Sequence, residues 1–266
     1  MKTQIILRKV HYAFSAFLCT ACLVSCNDWL KPEPLSFYSP ENTYVTKEGL
    51  EGALVSCRAM IRPEFIGNNS YACTELMTSD VAVAGNIVAQ TLKNFEIQLK
   101  PGAYGDSQIG TFWSKGYSAI QKANTIISRV QAADEITEND KNTILAEGYF
   151  HRSYWYYKLV NQFGDVPFID KEVTTPKLDF YSHTRSSILK RLREDMMFAT
   201  RYLPESAPHG AVSKAAGNHL LAKICLACCD FDGAVAATTA VIDHSQHKLM
   251  EKRFGVNISD AQYNII

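Results

Sequence analysis

Two clusters in this 266-residue chain have spacings that metal or redox chemistry could use. Cys225-x-x-Cys228-Cys229 has the interval of a dithiol or of half a zinc site. His244-x-x-His247 could be a metal pair. Neither cluster is completed, because no second cysteine pair accompanies the first and no third ligand stands near the histidines. The cysteines also lie in an apolar helical run from Ala216 to Phe231, where cysteine behaves as a small apolar residue. Carboxylates are plentiful, yet none sits in a recognisable catalytic context. Glycoside hydrolysis needs two of them roughly 5–9.5 Å apart across a bond. There is no G-x-S-x-G, no H-E-x-x-H and no phosphate-binding glycine loop. No catalytic residue, metal site or cofactor is expected.

Aromatic residues offer a different chemistry. Residues 64–110 read as irregular, with turn formers at Gly67, Asn68, Asn69, Gly85, Asn86, Pro101, Gly102 and Gly105. Tyr71, Phe95 and Tyr104 fall in this stretch. A long irregular insertion in a compact domain is usually functional or disordered. Aromatic side chains on such loops can stack on the apolar faces of sugar rings, and they can equally pin a loop to the core. These three are the candidate ligand-binding residues.

The N-terminus reads as targeting rather than fold. Lys2, Arg8 and Lys9 precede an apolar run from Phe14 to Val24 that is short for a membrane span. Leu23-Val24-Ser25-Cys26 then resembles a lipobox, the site at which a bacterial lipoprotein is diacylated on cysteine and cleaved just before it. Residues 1–25 are expected to leave as a signal peptide, and Cys26 to carry the lipid. Residues 26–43, with Pro32, Pro34 and Pro40, form an extended tether. Of the eight cysteines, Cys19 and Cys22 would leave with the signal. Cys57, Cys73, Cys225, Cys228 and Cys229 form no regular disulfide framework, although export could oxidise one pair.

The remaining chain must position whatever chemistry exists. Zero formal charge gives no electrostatic footprint for nucleic acid, and 47% apolar with 20% charged residues describes an ordinary globular protein. The spacing predicts mainly helix. A first helix over 46–61 carries Leu50, Ala53, Leu54, Cys57 and Ile61, with Pro63 after its end. A second over 112–130 carries Trp113, Tyr117, Ile120, Asn124, Ile127 and Val130. Asn124 in an apolar stripe must bridge to a neighbour, since an unpaired buried amide is costly. A third helix runs through Leu145, Tyr149, Arg152, Tyr156, Leu159 and Phe163, with further aromatics on its other faces. A helix apolar on most sides is buried on most sides. Gly164 stops it and Pro167 keeps the exit extended. Residues 170–181 read as extended, and 184–202 as a helix with Ile188, Leu192, Met196 and Ala199 inward. A helix pair over 212–229 and 231–244 turns at residues 230–233.

Several of these segments share a family resemblance. Ala146, Glu147, Phe150, Arg152, Tyr156, Leu159, Val160, Phe163, Gly164, Asp165, Val166 and Pro167 match the hallmark helix of the SusD/RagB lipoproteins. Ser153 stands where that family usually has alanine, and Gly148 is a soft spot within the helix. The first helix, the pattern from Trp113 to Asn124, and the helix bearing Asp195 are similar to family segments too. Glu75 to Asp80 resembles an acidic patch that follows the family's first helix, with Asp80 suited to tying loop amides together. Leu221, Ala222, Ala234 and Val241 fall at tetratricopeptide-like spacings.

The resemblance implies an all-α, mainly helical, SusD-like fold of tetratricopeptide-like helix pairs with long irregular loops. It covers nearly all of this chain but only the N-terminal half of family members, so residues 44–266 read as a truncated N-terminal helical domain. It further implies a lipoprotein of the outer membrane, facing the cell exterior, that captures oligo- or polysaccharide and passes it to a SusC-like TonB-dependent barrel without covalent chemistry. The alternatives are a helical-repeat scaffold that binds only protein and an exported glycoside hydrolase. For the anchor, Cys26→Ala is expected to leave the chain unprocessed and without its acyl label, as read by metabolic lipid labelling and mass. Normal processing and full membrane retention of that variant would overturn the lipidation.

Overall fold

The computed structural model describes residues 43–65, 104–134, 136–207 and 210–244, without the side chains of 104–109 and 244. These residues belong to one compact unit. The expected signal, Cys26 and the tether before residue 43 lie outside them. So do Tyr71, Cys73, Asp80, Phe95 and His247.

Six α-helices make up the described architecture: α1 Lys47–Phe65, α2 Tyr104–Arg129, α3 Glu138–Phe163, α4 Arg185–Tyr202, α5 Lys214–Ala227 and α6 Phe231–His244. A 3₁₀ turn, Val130–Ala132, prolongs α2. Two residues of strand, Val166–Pro167 (β1), pair antiparallel with Ser182–His183 (β2). The chain is thus mainly helical, as its periodicity predicts. None of these helices is long and apolar enough to cross a membrane.

Side-chain caps set most helix starts. The Thr46 hydroxyl accepts from the Gly49 amide, Thr137 from Asp140, Thr184 from Ser187 and Ser213 from Ala216. Glu138 and Asp140 add negative charge to the first turn of α3. Gly164 ends α3 at φ +74°, a conformation that glycine adopts without a Cβ penalty. Asp165 then accepts from the Arg185 amide, so the residue that leaves α3 also helps to open α4.

Four boundaries differ from expectation. Helix α1 runs through Pro63 to Phe65. Proline breaks a helix by removing one internal bond, and here that loss falls in the last turn, where little helix remains to be lost. Helix α2 begins at Tyr104 rather than at residue 112. Helix α3 begins eight residues before Ala146, at the Thr137 cap. The α5–α6 turn lies at residues 228–230, with Cys229 at φ 59°. Gly233 belongs to the first turn of α6 and donates its amide to the Asp230 carboxylate.

Helix α3 lies at the centre, against α1, α2, α4 and α5. One apolar cluster joins Trp155, Tyr156 and Leu159 to Ile188, Leu192 and Met196 of α4 and to Leu221 and Ile224 of α5. A second joins Leu50 and Leu54 to Ala123, Ile126, Ile144 and Leu145. Gly148 proves to be a contact point rather than a weakness. A Cβ there would stand 3.1 Å from Ile127, so its absence lets α2 and α3 approach closely. Helices α4 and α5 also pack together, with α6 behind α5, in the stacked-pair manner of helical repeats.

Cys225 is buried, and burial pushes its thiol up to about 11. Cys57 is pushed up to about 12 for the same reason. Cys57, Cys225, Cys228 and Cys229 are all free thiols.

An ion pair ties α1 to α3. Arg58 Nε donates to Glu147 Oε1 at 2.6 Å and Nη2 to Oε2 at 2.9 Å, while His151 Nε2 stands 3.5 Å from Oε1. Burial opposes ionisation of Glu147, but the neighbouring His151 and the Arg58 hydrogen bonds outweigh it and lower its pKa. A carboxyl with a lowered folded-state pKa contributes stability above its unfolded value, about 4.3. That contribution is lost as pH falls through the folded value. Thermal melts should show Glu147→Gln less stable than wild type at pH 7, with the gap closing below about pH 4. A gap that persists unchanged at pH 3 would refute the assignment.

Candidate ligand cleft

The exit from α3 is laid against α2 by side chains that bond to main chain. Tyr117 Oη donates to the Pro167 carbonyl at 2.8 Å. The Ile169 amide donates to Tyr156 Oη at 2.6 Å. Asn124 Nδ2 donates to the Ile169 carbonyl at 2.7 Å, so this buried amide does bridge elements. Arg152 Nη1 donates to the Asp170 carbonyl at 2.9 Å and to Asn124 Oδ1 at 3.3 Å. Farther on, Arg129 pairs with Glu172 at 2.8 Å, and the Glu172 amide donates to Ser128.

Arg152 sits at the centre of this stitching. It is 1% exposed, and its other face meets Asp195 of α4, with Nη2 to Oδ2 at 2.5 Å and Nε to Oδ2 at 3.2 Å. Tyr149 lies under the guanidinium, 4.9 Å from ring centroid to Cζ. Burial raises the Asp195 pKa despite the pull of Arg152 and Arg191.

Because residues 167–172 are held and residues 173–180 swing away before β2, a cleft of about 640 Å³ opens between this segment and α2. Trp113, Ser114, Tyr117, Ser118, Gln121 and Asn124 line it from α2. Pro167, Ile169, Lys171, residues 173–177 and Phe180 line it from the other side. Trp113 and Tyr117 stand 4.9 Å apart, and Trp113 is braced edge-on by Phe163 at 5.0 Å. The result is a rigid aromatic wall faced by hydroxyl, amide and ammonium groups. Such a wall can take the apolar face of a ring while the polar groups bond to its edge.

A smaller hollow of about 330 Å³ lies on the far side of the same helix strip. It is lined by Tyr44, Ala53, Ser56, Ser118, Gln121, Lys122 and Thr125. No group of three His, Cys, Asp or Glu residues converges as a metal site among the described residues.

The sequence-level candidates are not brought together here. Tyr71 and Phe95 lie outside the described residues. Tyr104 is the first residue of α2 rather than part of a loop, because the helix starts earlier than expected. It stands nine residues before Trp113, about 13 Å along the axis. The cleft aromatics were legible only in part. Trp113 and Tyr117 read as core stripe, whereas the buried positions of α2 are Phe112, Gly116, Ala119, Ile120, Ala123, Asn124 and Ile126. Phe180 sat unremarked in an extended stretch.

Comparison with known proteins places this architecture. The family model described as starch-binding and associating with the outer membrane, SusD-like, matches residues 50–226, well over half the chain. The chain belongs to the SusD-like family. SusD-like protein P2 of Formosa agariphila is 28% identical over 97% of this chain and 50% of its own length. SusD-like protein P25 of the same organism is 24% identical over 99% of this chain and 50% of its own length. This SusD-like chain therefore spans about half the length of these curated relatives. Among solved structures, a laminarin-binding SusD-like protein aligns at TM-score 0.66 and 24% identity, over 76% of this chain and 46% of that one. Surface glycan-binding protein A of Bacteroides uniformis aligns at 0.65 and 18%, over 77% and 48%. These likenesses establish the SusD-like helical fold.

The buried pair yields a prediction of its own. Arg152→Leu leaves the buried Asp195 carboxylate with only the half-exposed Arg191, 3.4 Å from Oδ1, frees the Asp170 carbonyl, and should cost about 3–5 kcal/mol in chemical denaturation. Arg152→Leu/Asp195→Leu should recover part of that loss, because no lone charge then remains buried. A double variant no better than the single would refute the pairing.

Proposed function

We propose that this chain is the ligand-binding N-terminal part of a cell-surface glycan-binding lipoprotein, acting by capture and not by covalent chemistry. The observation that carries the reading is the cleft beside α2. Its Trp113–Tyr117 wall and the exposed Phe180 offer apolar faces, and Ser114, Ser118, Gln121, Thr174 and Thr175 offer hydrogen-bonding groups. That is the composition a pyranose needs, with C–H faces for aromatic rings and hydroxyls for the rim. Family membership supports a saccharide as the ligand. The ligands named for the structural relatives, laminarin and glycan, agree in class.

Around this core we place the anchor and the partner. Cys26, in its lipobox-like context, would hold the protein on the outer membrane by acyl chains, facing outward, with residues 26–43 as the tether. A SusC-like TonB-dependent barrel would receive the bound oligosaccharide. Tyr71, Phe95 and Tyr104 are proposed as further ligand contacts beyond the cleft.

Calorimetry of the full-length protein against a panel of polysaccharides, with product analysis of the same mixtures, tests the reading. Binding without cleavage is expected. Trp113→Ala should weaken it by about 0.5–1.5 kcal/mol, roughly two- to tenfold in Kd, while thermal melts report any loss of fold. Affinity that is unchanged in Trp113→Ala but abolished in Tyr71→Ala/Phe95→Ala/Tyr104→Ala would move the site. Released sugars would make the protein a hydrolase.

A further inference from the structure

The two hollows beside α2 share a border. Ser118 and Gln121 line both, so they form the ridge between the larger and the smaller. The charge along this track has one sign. Lys171 and Lys177 line the larger hollow and Lys122 the smaller, and no Asp or Glu lines either among the described residues. The chain as a whole is neutral, so three lysines and no carboxylate is a local departure.

These lysines carry no counter-charge of their own. Other described cations that lie near carboxylates are paired, Arg58 with Glu147, Arg129 with Glu172, Arg193 with Asp230 and Lys214 with Glu205. Lys122, Lys171 and Lys177 make no ion pair among the described residues, although Asp170 and Glu172 flank Lys171 in sequence. Glu172 is occupied by Arg129. Lys177 Nζ lies over the Phe180 ring, 5.5 Å from its centroid, which holds the ammonium at the rim of the cleft. Aromatic rings with a cation held among them suit a sugar ring that carries an acidic substituent.

We propose that the track across the Ser118–Gln121 ridge, from Lys171 and Lys177 to Lys122, selects an anionic oligosaccharide bearing carboxylate or sulfate groups. The inference rests on the glycan reading above and adds the charge of the ligand. Rings stack against Trp113, Tyr117 and Phe180, and the acidic substituents meet the lysines. The ridge polar groups bond to a ring that crosses between the hollows, so a chain of several rings is favoured over a single sugar.

Calorimetry of the full-length protein tests this with four probes: a tetragalacturonate, its methyl ester, a sulfated galactan oligosaccharide and a neutral gluco-oligosaccharide. The methyl ester keeps the shape of the first probe and removes its charge. Binding of the tetragalacturonate or the sulfated probe should exceed that of its uncharged counterparts by about tenfold, and should weaken as NaCl rises from 20 to 500 mM. Which acid binds tells carboxylate from sulfate. Lys171→Met and Lys177→Met should each cost roughly two- to fivefold in affinity for the charged probe and leave the uncharged ones unmoved. Equal binding of ester and acid, without salt dependence, overturns the charge selection and leaves the glycan reading standing. Absence of binding to all four probes, with a normal melting curve, overturns both.

Discussion

One buried cation joins three of the elements around the cleft. Arg152 comes from the middle of α3, yet it reaches α4 through Asp195, α2 through Asn124 and the exit segment through the Asp170 carbonyl. A guanidinium can do this because its five donors lie in a fixed planar fork. Lysine could not satisfy three directions at once with defined geometry. Dehydrating the pair is costly, and the raised pKa of Asp195 registers that cost. What the pair contributes is direction: it fixes where the chain goes after the helix ends.

The consequence is visible in the segment that follows. Pro167, Ile169 and Asp170 are each bonded through main-chain groups to side chains of α2 or α3, and Glu172 to Arg129 and Ser128. Their own side chains are thereby left to serve other purposes. Beyond Glu172 such bonds to α2 cease among the described residues, and β2 then pairs with β1. The cleft is the space between a stitched segment and an unstitched one. Its walls are therefore rigid near Tyr117 and Asn124, where the ladder of bonds ends.

Glycines and caps act at the scale above. Gly116 and Gly148 let α2 approach α3, since a Cβ at either position would crowd Leu159 or Ile127 at 3.1 Å. That close approach is what brings Asn124 within reach of Arg152 and of Ile169. A helix pair packed at alanine distance would leave these polar groups short of one another. Local sequence choices thus set the spacing on which the polar network relies.

The sequence alone determined the class of the molecule. The periodicity of α3, its aromatic content, and the Gly164 stop with Pro167 specified a buried central helix with an extended exit. These are local properties, each legible from spacing and backbone preference. Asn124 announced a bridge because an amide in an apolar stripe has few other solutions. Residues 146–167 also carried the family resemblance, for the same reason: Arg152, Gly164, Asp165 and Pro167 do jobs that few other residue types can do. The boundaries at Pro63, Tyr104, Thr137 and Asp230 were less legible, because caps and last turns depend on single hydrogen bonds. The cleft was decided only by tertiary structure. Trp113 and Tyr117 share helical spacing with core positions, and nothing local says that one flank of α2 faces packing and the other a void. Lys122, Lys171, Lys177 and Phe180 lie as much as 58 residues apart in sequence. Only the folding of 167–180 back along α2 gives them a common surface.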